Sequence, residues 1–304
     1  MTKNLSLVTE DISCWQNLSL DELEREYSPS SVAPDFRTTL AAYHYESECV
    51  LQNFHPPLEI AYGNLESQKI TLFQAGHDNC VLVWFHGGYW QELSRQKSLF
   101  PARGFVPKGI SYAAVGYTLA PHASLTQIVQ ECVNALLYLQ HWYQAQGKNP
   151  HIIIAGSSAG AHLAATLLTY PWAAIQCTAP FHGAILLSGI YDLRPLVKTY
   201  INHSVGLTTT IAHQLSPIFR EDLAIVPVRI FWGERETQEF KRQSSAFAHR
   251  LFLAGVPDIQ TQEIASRDHF DLVFDVGNLC TSVGSEIVNM FERLSIPQHK
   301  TFTS

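Results

Sequence analysis

Positive charge is scarce in this sequence. Its 304 residues include 20 lysine and arginine residues against 27 aspartate and glutamate residues, and the formal net charge is -7. No long basic run is present. Nucleic acids and anionic membrane surfaces are bound mainly through clustered lysine and arginine side chains, so the composition argues against both as partners.

Long apolar runs and a secretion signal are also missing. No window reaches the roughly 18 unbroken apolar residues that a membrane-spanning helix needs. The first residues, MTKNLSLVTEDISCWQ, contain no basic segment followed by an apolar stretch, as a signal peptide would. The sequence therefore predicts a cytoplasmic protein.

Paired cysteines are absent as well. The six cysteines are scattered without a CxxC pair, and several lie in apolar runs: Cys14, Cys49, Cys80, Cys132, Cys177 and Cys280. A chain that stays in a reducing compartment keeps such thiols free, so we predict buried free cysteines rather than disulfides or a thiolate metal site. We expect neither a metal nor another cofactor.

Buried strands alternate with helices along most of the chain. Continuous apolar runs such as CVLVWFHGG (80–88), GISYAAVGY (109–117) and HIIIAG (151–156) are typical of strands buried on both faces. Further strands are predicted at 183–190, 226–233 and 258–264, and helices at 124–147, 159–170, 237–254 and 282–294. This order predicts an α/β fold with a mostly parallel central sheet covered on both faces.

No linker divides the chain, so we predict one domain over residues 1–304. Residues 1–45 are polar and form an amino-terminal extension, with a short helix in SLDELEREY and a proline-broken loop in SPSSVAP. Residues 191–222 carry no clear strand and are predicted to form a cap-like excursion over the sheet. Ligand sites in such folds lie at the carboxyl ends of the strands.

The pentapeptide GSSAG (156–160) joins a predicted strand directly to a predicted helix. It fits the G-x-S-x-G pattern, in which a strained turn presents a nucleophilic serine above the sheet. Side chains at positions 156 and 160 would collide with neighbouring elements. The alternative is a tight turn without catalysis. The strand-helix context favours Ser158 as a nucleophile.

A serine hydroxyl needs a base, and the base needs an acid that orients it. In this architecture the order along the chain is serine, acid, histidine. His269 in ASRDHFD follows the last predicted strand and is the best base. Glu234, Glu236 and Glu239 follow the strand VRIFWG, and among them Glu236 has the most suitable distance from Gly233, with Glu234 left open.

Other carboxylates and a metal site are weaker candidates. Asp268 and Asp271 flank the histidine and are expected to shape its loop. A metal site at RDHFD is disfavoured because no second cluster with ligand spacing accompanies it.

The motif HGGYW (86–90) supplies a third strand end with unusual residues. Acyl transfer passes through an oxyanion, and preorganised donors stabilise it by about 3 to 4 kcal/mol each. Glycines let backbone N–H groups approach that oxygen closely. We predict an oxyanion hole from Gly87, Gly88 and Ala159, the residue after the serine; the alternative is a glycine turn that only leaves the strand.

At these residues the sequence resembles the serine-dependent kynurenine formamidases (arylformamidases) of the α/β-hydrolase fold. The resemblance extends from about residue 20 to 295. It rests on YSPSS (27–31), HGGYWQ (86–91), GSSAGAHLA (156–164), GIYDLRPL (189–196), ETQEFKRQS (236–244) and DHFD (268–271).

This resemblance implies the roles of nucleophile for Ser158, base for His269 and acid for Glu236. It also implies an oxyanion hole from Gly87, Gly88 and Ala159. Two positions depart from the family pattern. Ser157 stands where many members have histidine, and Glu236 stands where the acid is commonly aspartate.

The resemblance implies hydrolysis of the formamide of N-formyl-L-kynurenine, or of a related N-formyl aryl amine, in tryptophan catabolism. The partner would be a small aromatic substrate, which Tyr89 and Trp90 could contact. Arg194 or Lys198 could bind its amino-acid head group, although a surface role is favoured for both. A carboxylesterase with the same triad is the alternative, and a non-catalytic binding protein is a third reading, disfavoured because no triad residue is missing.

Overall fold

The computed structural model describes residues 14–76 and 79–295. In this part of the chain, eight strands form one sheet: β1 Leu58–Ala61, β2 Lys69–Phe73, β3 Cys80–Phe85, β4 Ser111–Val115, β5 His151–Ser157, β6 Gly183–Leu187, β7 Val228–Gly233 and β8 Ile259–Ile264. Their spatial order is β1-β2-β4-β3-β5-β6-β7-β8. The pairs β1–β2 and β2–β4 are antiparallel, and all others are parallel. The predicted, mostly parallel sheet is thereby confirmed.

Helices pack on both faces of this sheet. They are α1 Leu20–Glu26, α2 Phe36–Asn53, α3 Ala102–Phe105, α4 Leu125–Gln144, α5 Ala159–Leu168, α6 Asn202–Val205, α7 Thr209–Gln214, α8 Gln238–Leu253 and α9 Ser282–Ser295. Helices α4, α5 and α8 contribute to one apolar core, whereas α2, α3 and α9 contribute to the other. Successive residues of β3 alternate between these cores, because neighbouring side chains of a strand point to opposite faces.

Strands β1 and β2 and helix α2 lie where no regular structure was predicted. Strands β1 and β2 form an antiparallel edge that precedes β3 in the chain. Only one residue of β1, Ile60, is buried, so the strand has no apolar run to reveal it. Helix α2 begins inside the predicted extension and runs past its end, and only Tyr43, Ser47 and Val50 of its 18 residues are buried. Its amphipathic pattern is correspondingly weak.

The connection from β6 to β7 contains α6, α7 and two 3-10 helices of five and three residues. It contains no strand among its described residues. This agrees with the strand-free segment expected at 191–222. The division into a single domain with an extension and a cap stays a prediction, and residues 1–13 of the extension lie outside the described residues.

Cysteines and membrane segments can be checked over the same part of the chain. Five of the predicted thiols are free: Cys49, Cys80, Cys132, Cys177 and Cys280. Only Cys80 and Cys132 are buried as expected, and Cys280 is exposed. The side chain of Cys14 lies outside the description. None of the helices in the described ranges has the length and apolar character needed to cross a bilayer.

Candidate active site

A cavity of about 220 Å³ opens at the carboxyl ends of β3 and β5. Ser158 and His269 both line it, together with Gly87, Gly88 and Tyr89 from the loop after β3. The structure therefore brings residues from three of the predicted motifs to one place. Parallel strands whose carboxyl ends share one edge of a sheet produce this convergence.

Ser158 lies in a sharp turn between β5 and α5. Its backbone has φ 57° and ψ -120°, a left-handed conformation that is strained for a residue with a side chain. The turn is held by a 2.8 Å hydrogen bond from the Ser158 N–H to the carbonyl of Leu187 in β6. The side chain is buried apart from the face that lines the cavity.

The glycines of GSSAG allow α5 to pack against β3. A Cβ at Gly160 would lie 1.9 Å from the carbonyl oxygen of Phe85, and one at Gly156 would lie 2.4 Å from the backbone of Gly160. Real contacts of this kind do not occur below about 3 Å, so any side chain here would push the helix off the sheet. The steric reason predicted for both glycines is confirmed.

His269 is paired with a buried carboxylate. Its Nδ1 lies 2.9 Å from Oε2 of Glu236, and both side chains are buried. The ring of Phe240 contacts the imidazole edge-on, with a centroid distance of 4.5 Å. Because Nδ1 is engaged by Glu236, Nε2 is the ring nitrogen that remains for a partner in the cavity.

Glu236 itself is held by two further donors. Its Oε1 accepts a 2.7 Å hydrogen bond from the N–H of Gly233 and a 2.5 Å hydrogen bond from the hydroxyl of Ser188. The carboxylate is thus bonded on both oxygens without contact with solvent. Hydrogen bonds to the charged form compensate for its burial.

The competing carboxylates near His269 have other partners. Glu234 is exposed and accepts a hydrogen bond from the N–H of Ser266 at 2.7 Å. Glu239 lies in α8, as expected, and forms a buried ion pair with Arg242 at 2.7 Å. Only Glu236, among the three glutamates considered, is in contact with the imidazole.

Asp268 and Asp271 shape the loop that carries His269. Oδ1 of Asp268 accepts hydrogen bonds from the N–H groups of Phe270 and Asp271, at 2.8 and 3.0 Å. Oδ1 of Asp271 accepts one from the N–H of Asp268 at 2.7 Å. These reciprocal bonds are those of a tight turn, as the sequence led us to expect.

The loop after β3 lies directly against the serine turn. A Cβ at Gly87 would be 3.4 Å from the Cβ of Ser158 and 3.0 Å from the carbonyl oxygen of Ser157. Gly88 has φ 94°, which favours glycine. In the described part of the chain, the N–H groups of Gly87 and Gly88 donate no hydrogen bond to another protein group. Ala159 is the first residue of α5.

His86 fixes the start of this loop. Its ring stacks on that of Tyr117 at a centroid distance of 4.2 Å, and the Tyr117 hydroxyl donates to the His86 carbonyl at 2.7 Å. Burial lowers the pKa of His86 to about 4, so the imidazole is neutral near pH 7. A neutral, stacked ring can anchor the loop without placing a charge beside the cavity.

The two aromatic residues of HGGYW have different surroundings. Tyr89 lines the cavity, and its hydroxyl donates to the carbonyl of Tyr27 at 2.6 Å. Trp90 does not line the cavity, because its fully buried ring packs edge-on against His162 at 5.0 Å. The expectation that Trp90 contacts a bound ring is therefore corrected, and Tyr89 alone of this pair faces the site.

Much of the cavity wall was not predicted from sequence. Phe36, Leu40 and Tyr43 come from α2, and Tyr200 and Ile201 come from the connection between β6 and β7. These residues lie far from the motifs along the chain, and no local pattern links them to the site. Ser188 was also missed, although it follows an apolar run as the motif residues do.

Neither basic residue considered for a head group lines the cavity. Arg194 pairs with the buried carboxylate of Asp192 at 2.8 Å, and its guanidinium lies 4.3 Å from the ring centroid of Phe219. Lys198 lies 5.9 Å from the ring centroid of Trp15.

No metal site is found among the described residues. Residues 14–76 and 79–295 contain no group of three or more histidine, cysteine, aspartate or glutamate side chains that could hold an ion.

Comparisons with known proteins agree with this architecture. A model of the alpha/beta hydrolase fold matches residues 82–269. The kynurenine formamidase of Danio rerio is 30% identical over 86% of this chain and 93% of its own length. That of Salmo salar is 29% identical with the same coverage. Among solved structures, esterase B from Lactobacillus rhamnosis superposes with a TM-score of 0.68 at 17% identity, over 87% of this chain and 97% of the esterase, which shows the fold alone.

The matched fold model spans most of the chain, and the Danio rerio relative is covered almost completely. The chain is therefore a hydrolase that belongs to the kynurenine formamidase family of the α/β-hydrolase fold.

Proposed function

We propose that the protein is a serine hydrolase that cleaves the formamide of N-formyl-L-kynurenine, or of a related N-formyl aryl amine, to formate and the free amine. One observation carries this proposal. The strained Ser158 and the buried His269–Glu236 pair line or adjoin one cavity, in the chain order that a serine, acid and histidine triad requires. The family supplies the substrate class, since two relatives of high coverage are named kynurenine formamidases.

In the first step, Nε2 of His269 takes the proton of the Ser158 hydroxyl while Oγ attacks the formyl carbon. The carbonyl π electrons move to oxygen and give a tetrahedral oxyanion. The N–H groups of Gly87, Gly88 and Ala159 would stabilise it. This role is compatible with the two glycine N–H groups, which donate to no acceptor among the residues that the structure describes. Glu236 holds the imidazolium in its orientation through Nδ1.

Collapse of the intermediate breaks the carbon–nitrogen bond. The imidazolium of His269 gives its proton to the departing nitrogen, and a formyl ester remains on Ser158. Water, deprotonated by the same imidazole, then attacks this ester. The bond between the formyl carbon and Oγ breaks, the imidazolium returns its proton to Ser158, and formate is released. Nitrogen attached to an aromatic ring leaves more readily than an alkyl amine, so a triad suffices for the chemistry.

The wall of the cavity suits an aromatic leaving group. Gly87 lies beside Ser158 at the nucleophile. The wall also includes the rings of Phe36, Tyr43 and Tyr89. With the formyl carbon at Ser158, these rings would contact the aryl group.

A carboxylesterase acting on small or aromatic esters is the second candidate. Among the described residues that line the cavity, no lysine or arginine is present to pair with a carboxylate. A neutral ester needs no such partner, whereas N-formyl-L-kynurenine carries a carboxylate as well as an ammonium group. The same triad would serve both reactions.

The proposal is tested by comparing kcat/KM for the wild type and Ser158→Ala on N-formyl-L-kynurenine and on a short-chain p-nitrophenyl ester. The matched control is Ser244→Ala, since Ser244 is a buried serine of α8 whose hydroxyl has no hydrogen-bond partner among residues 14–76 and 79–295. We expect strong formamide cleavage that disappears in Ser158→Ala and survives in Ser244→Ala. Cleavage of the ester alone would favour the second candidate.

A further inference from the structure

The hydrogen bonds to Oε1 of Glu236 identify a further residue that affects turnover. Oε2 faces His269, and Oε1 receives the hydroxyl of Ser188 at 2.5 Å and the N–H of Gly233 at 2.7 Å. We propose that Ser188 is a positioning residue, which acts on turnover by holding the Glu236 carboxylate against the imidazole. This inference rests on the proposed function, because it takes Glu236 as the triad acid.

Ser188 is buried and has a strained backbone conformation. It follows β6, its N–H donates to the Phe231 carbonyl of β7 at 2.8 Å, and its side chain is fully buried. Its φ of 49° is unfavourable for a residue with a Cβ. A glycine would adopt this conformation without strain, but it would have no hydroxyl to offer to Glu236.

A glutamate needs this support more than a shorter acid would. Its side chain has three rotatable bonds, and each must be fixed before Oε2 can hold His269 in one orientation. Glu236 lies three residues beyond the end of β7 and folds back so that Oε1 meets the N–H of Gly233. Ser188 adds a donor from the neighbouring strand end, so the carboxylate is fixed from two sides.

Of the two donors to Oε1 of Glu236, only the Ser188 hydroxyl can be removed by a substitution that leaves the surrounding loop intact. The N–H of Gly233 belongs to the backbone, and a Cβ at Gly233 would lie 2.4 Å from the carbonyl oxygen of Arg267. A substitution there would disturb the loop that carries His269. The Ser188 hydroxyl can be removed with little change in volume. Ser188 is therefore the position at which the contribution of this second contact can be measured.

A hydrogen bond that only stabilises the fold would change the melting temperature and leave kcat alone. A positioning role makes a different prediction. Ser188→Ala and Ser188→Gly should both lower kcat by about tenfold to a hundredfold, the loss expected for one hydrogen bond to a charged acceptor, with KM little changed. The glycine variant, which relieves the strain at this φ, should be at least as stable as the alanine variant and equally slow.

The matched control is Ser216→Ala. Ser216 is also fully buried, but its hydroxyl bonds backbone groups of Ala212 and Leu193 in the connection between β6 and β7. This variant should lower the melting temperature and keep kcat close to the wild-type value. If kcat in the Ser188 variants equals that of the wild type, or if it only follows the melting temperature across all three variants, the proposal is wrong.

A double variant distinguishes failure of this inference from failure of the triad. If Ser188 acts through Glu236, Ser188→Ala should cause no further loss of kcat in a Glu236→Ala background, whereas independent effects would multiply and overturn the inference. A Glu236→Ala protein with wild-type turnover would overturn the proposed triad and this inference with it. A slow Glu236→Ala protein beside a fully active Ser188→Ala protein would overturn this inference alone.

Discussion

Glutamine at position 236 should inactivate the enzyme by reversing the hydrogen-bond polarity at His269. Oε1 of Glu236 now accepts from two donors, Ser188 and Gly233. In Glu236→Gln the amide oxygen must take that place, because the N–H of Gly233 can only donate and cannot accept a hydrogen bond from an NH₂ group. The amide NH₂ would then point at Nδ1 of His269.

This arrangement forces the wrong tautomer of the histidine. An NH₂ group donates to Nδ1, so the ring proton moves to Nε2, and Nε2 can no longer accept the proton of Ser158. Removing the charge of a triad acid in this way costs about 10⁴-fold in kcat, which corresponds to about 5 kcal/mol in activation free energy. Both partners are buried, so solvent offers no alternative acceptor or donor.

The assay is kcat on N-formyl-L-kynurenine and on the p-nitrophenyl ester, with melting temperatures measured in parallel. Glu234→Gln is the matched control. Its carboxylate is exposed and accepts from Ser266, which an amide oxygen can replace, so we expect less than about a threefold loss. A loss in Glu234→Gln that equals or exceeds the loss in Glu236→Gln would rule out Glu236 and make Glu234 the acid.

Three further predictions follow from the geometry. Gly160→Ala should lower the free energy of unfolding by about 3 kcal/mol or more, measured in urea, because its Cβ would overlap the Phe85 carbonyl; an unchanged midpoint would contradict the packing. Burial lowers the pKa of His86 and His162 from 6.5 to about 4, so the unfolded chain binds more protons in this range. The free energy of unfolding should therefore fall as the pH drops from 6.5 towards 4, by up to about 3 kcal/mol for each histidine. In His162→Gln, the free energy of unfolding measured in urea should change less between pH 7 and 5 than in the wild type. An equal change in the variant and the wild type would contradict this. Finally, no described lysine or arginine lines the cavity, whereas Glu92 does. A formanilide that carries an amine but no carboxylate should therefore have a kcat/KM at least equal to that of N-formyl-L-kynurenine. A much higher kcat/KM for the substrate with the carboxylate would mean that a cation outside the described lining binds it.

The sequence was informative where burial is continuous along the chain. Strands β3 and β5 are apolar over nearly their whole length because both of their faces are covered, so they were predicted from composition alone. The same applies to α5, whose ten residues are all buried. The motifs that end these strands can then be assigned to one edge of the sheet, so the contact between His269 and Glu236 is predictable from the sequence.

Elements with little burial were missed for the corresponding reason. In β1 and α2 few residues are fully buried, so their sequences carry no strong apolar period. Yet α2 contributes Phe36, Leu40 and Tyr43 to the cavity. Tyr43 also donates to the carbonyl of Phe270, 227 residues further along the chain. Contacts of this range depend on the tertiary fold and leave no local pattern.

Adjacent residues in an irregular turn were equally difficult to assign. Tyr89 and Trp90 both have left-handed backbones, with φ of 48° and 62°. In a strand or a helix, their relative directions would follow from the periodicity. In this turn the backbone conformation alone decides that one ring faces the cavity and that the other packs against His162.

The most direct test of the central claim is to look for the covalent intermediate. Wild-type protein would be mixed with N-formyl-L-kynurenine, quenched in acid during the first turnovers, digested and examined by mass spectrometry. We expect the mass of one formyl group on the peptide that contains Ser158, and its absence in Ser158→Ala. A formyl group on another residue, or product formation that survives in Ser158→Ala, would contradict the proposed mechanism.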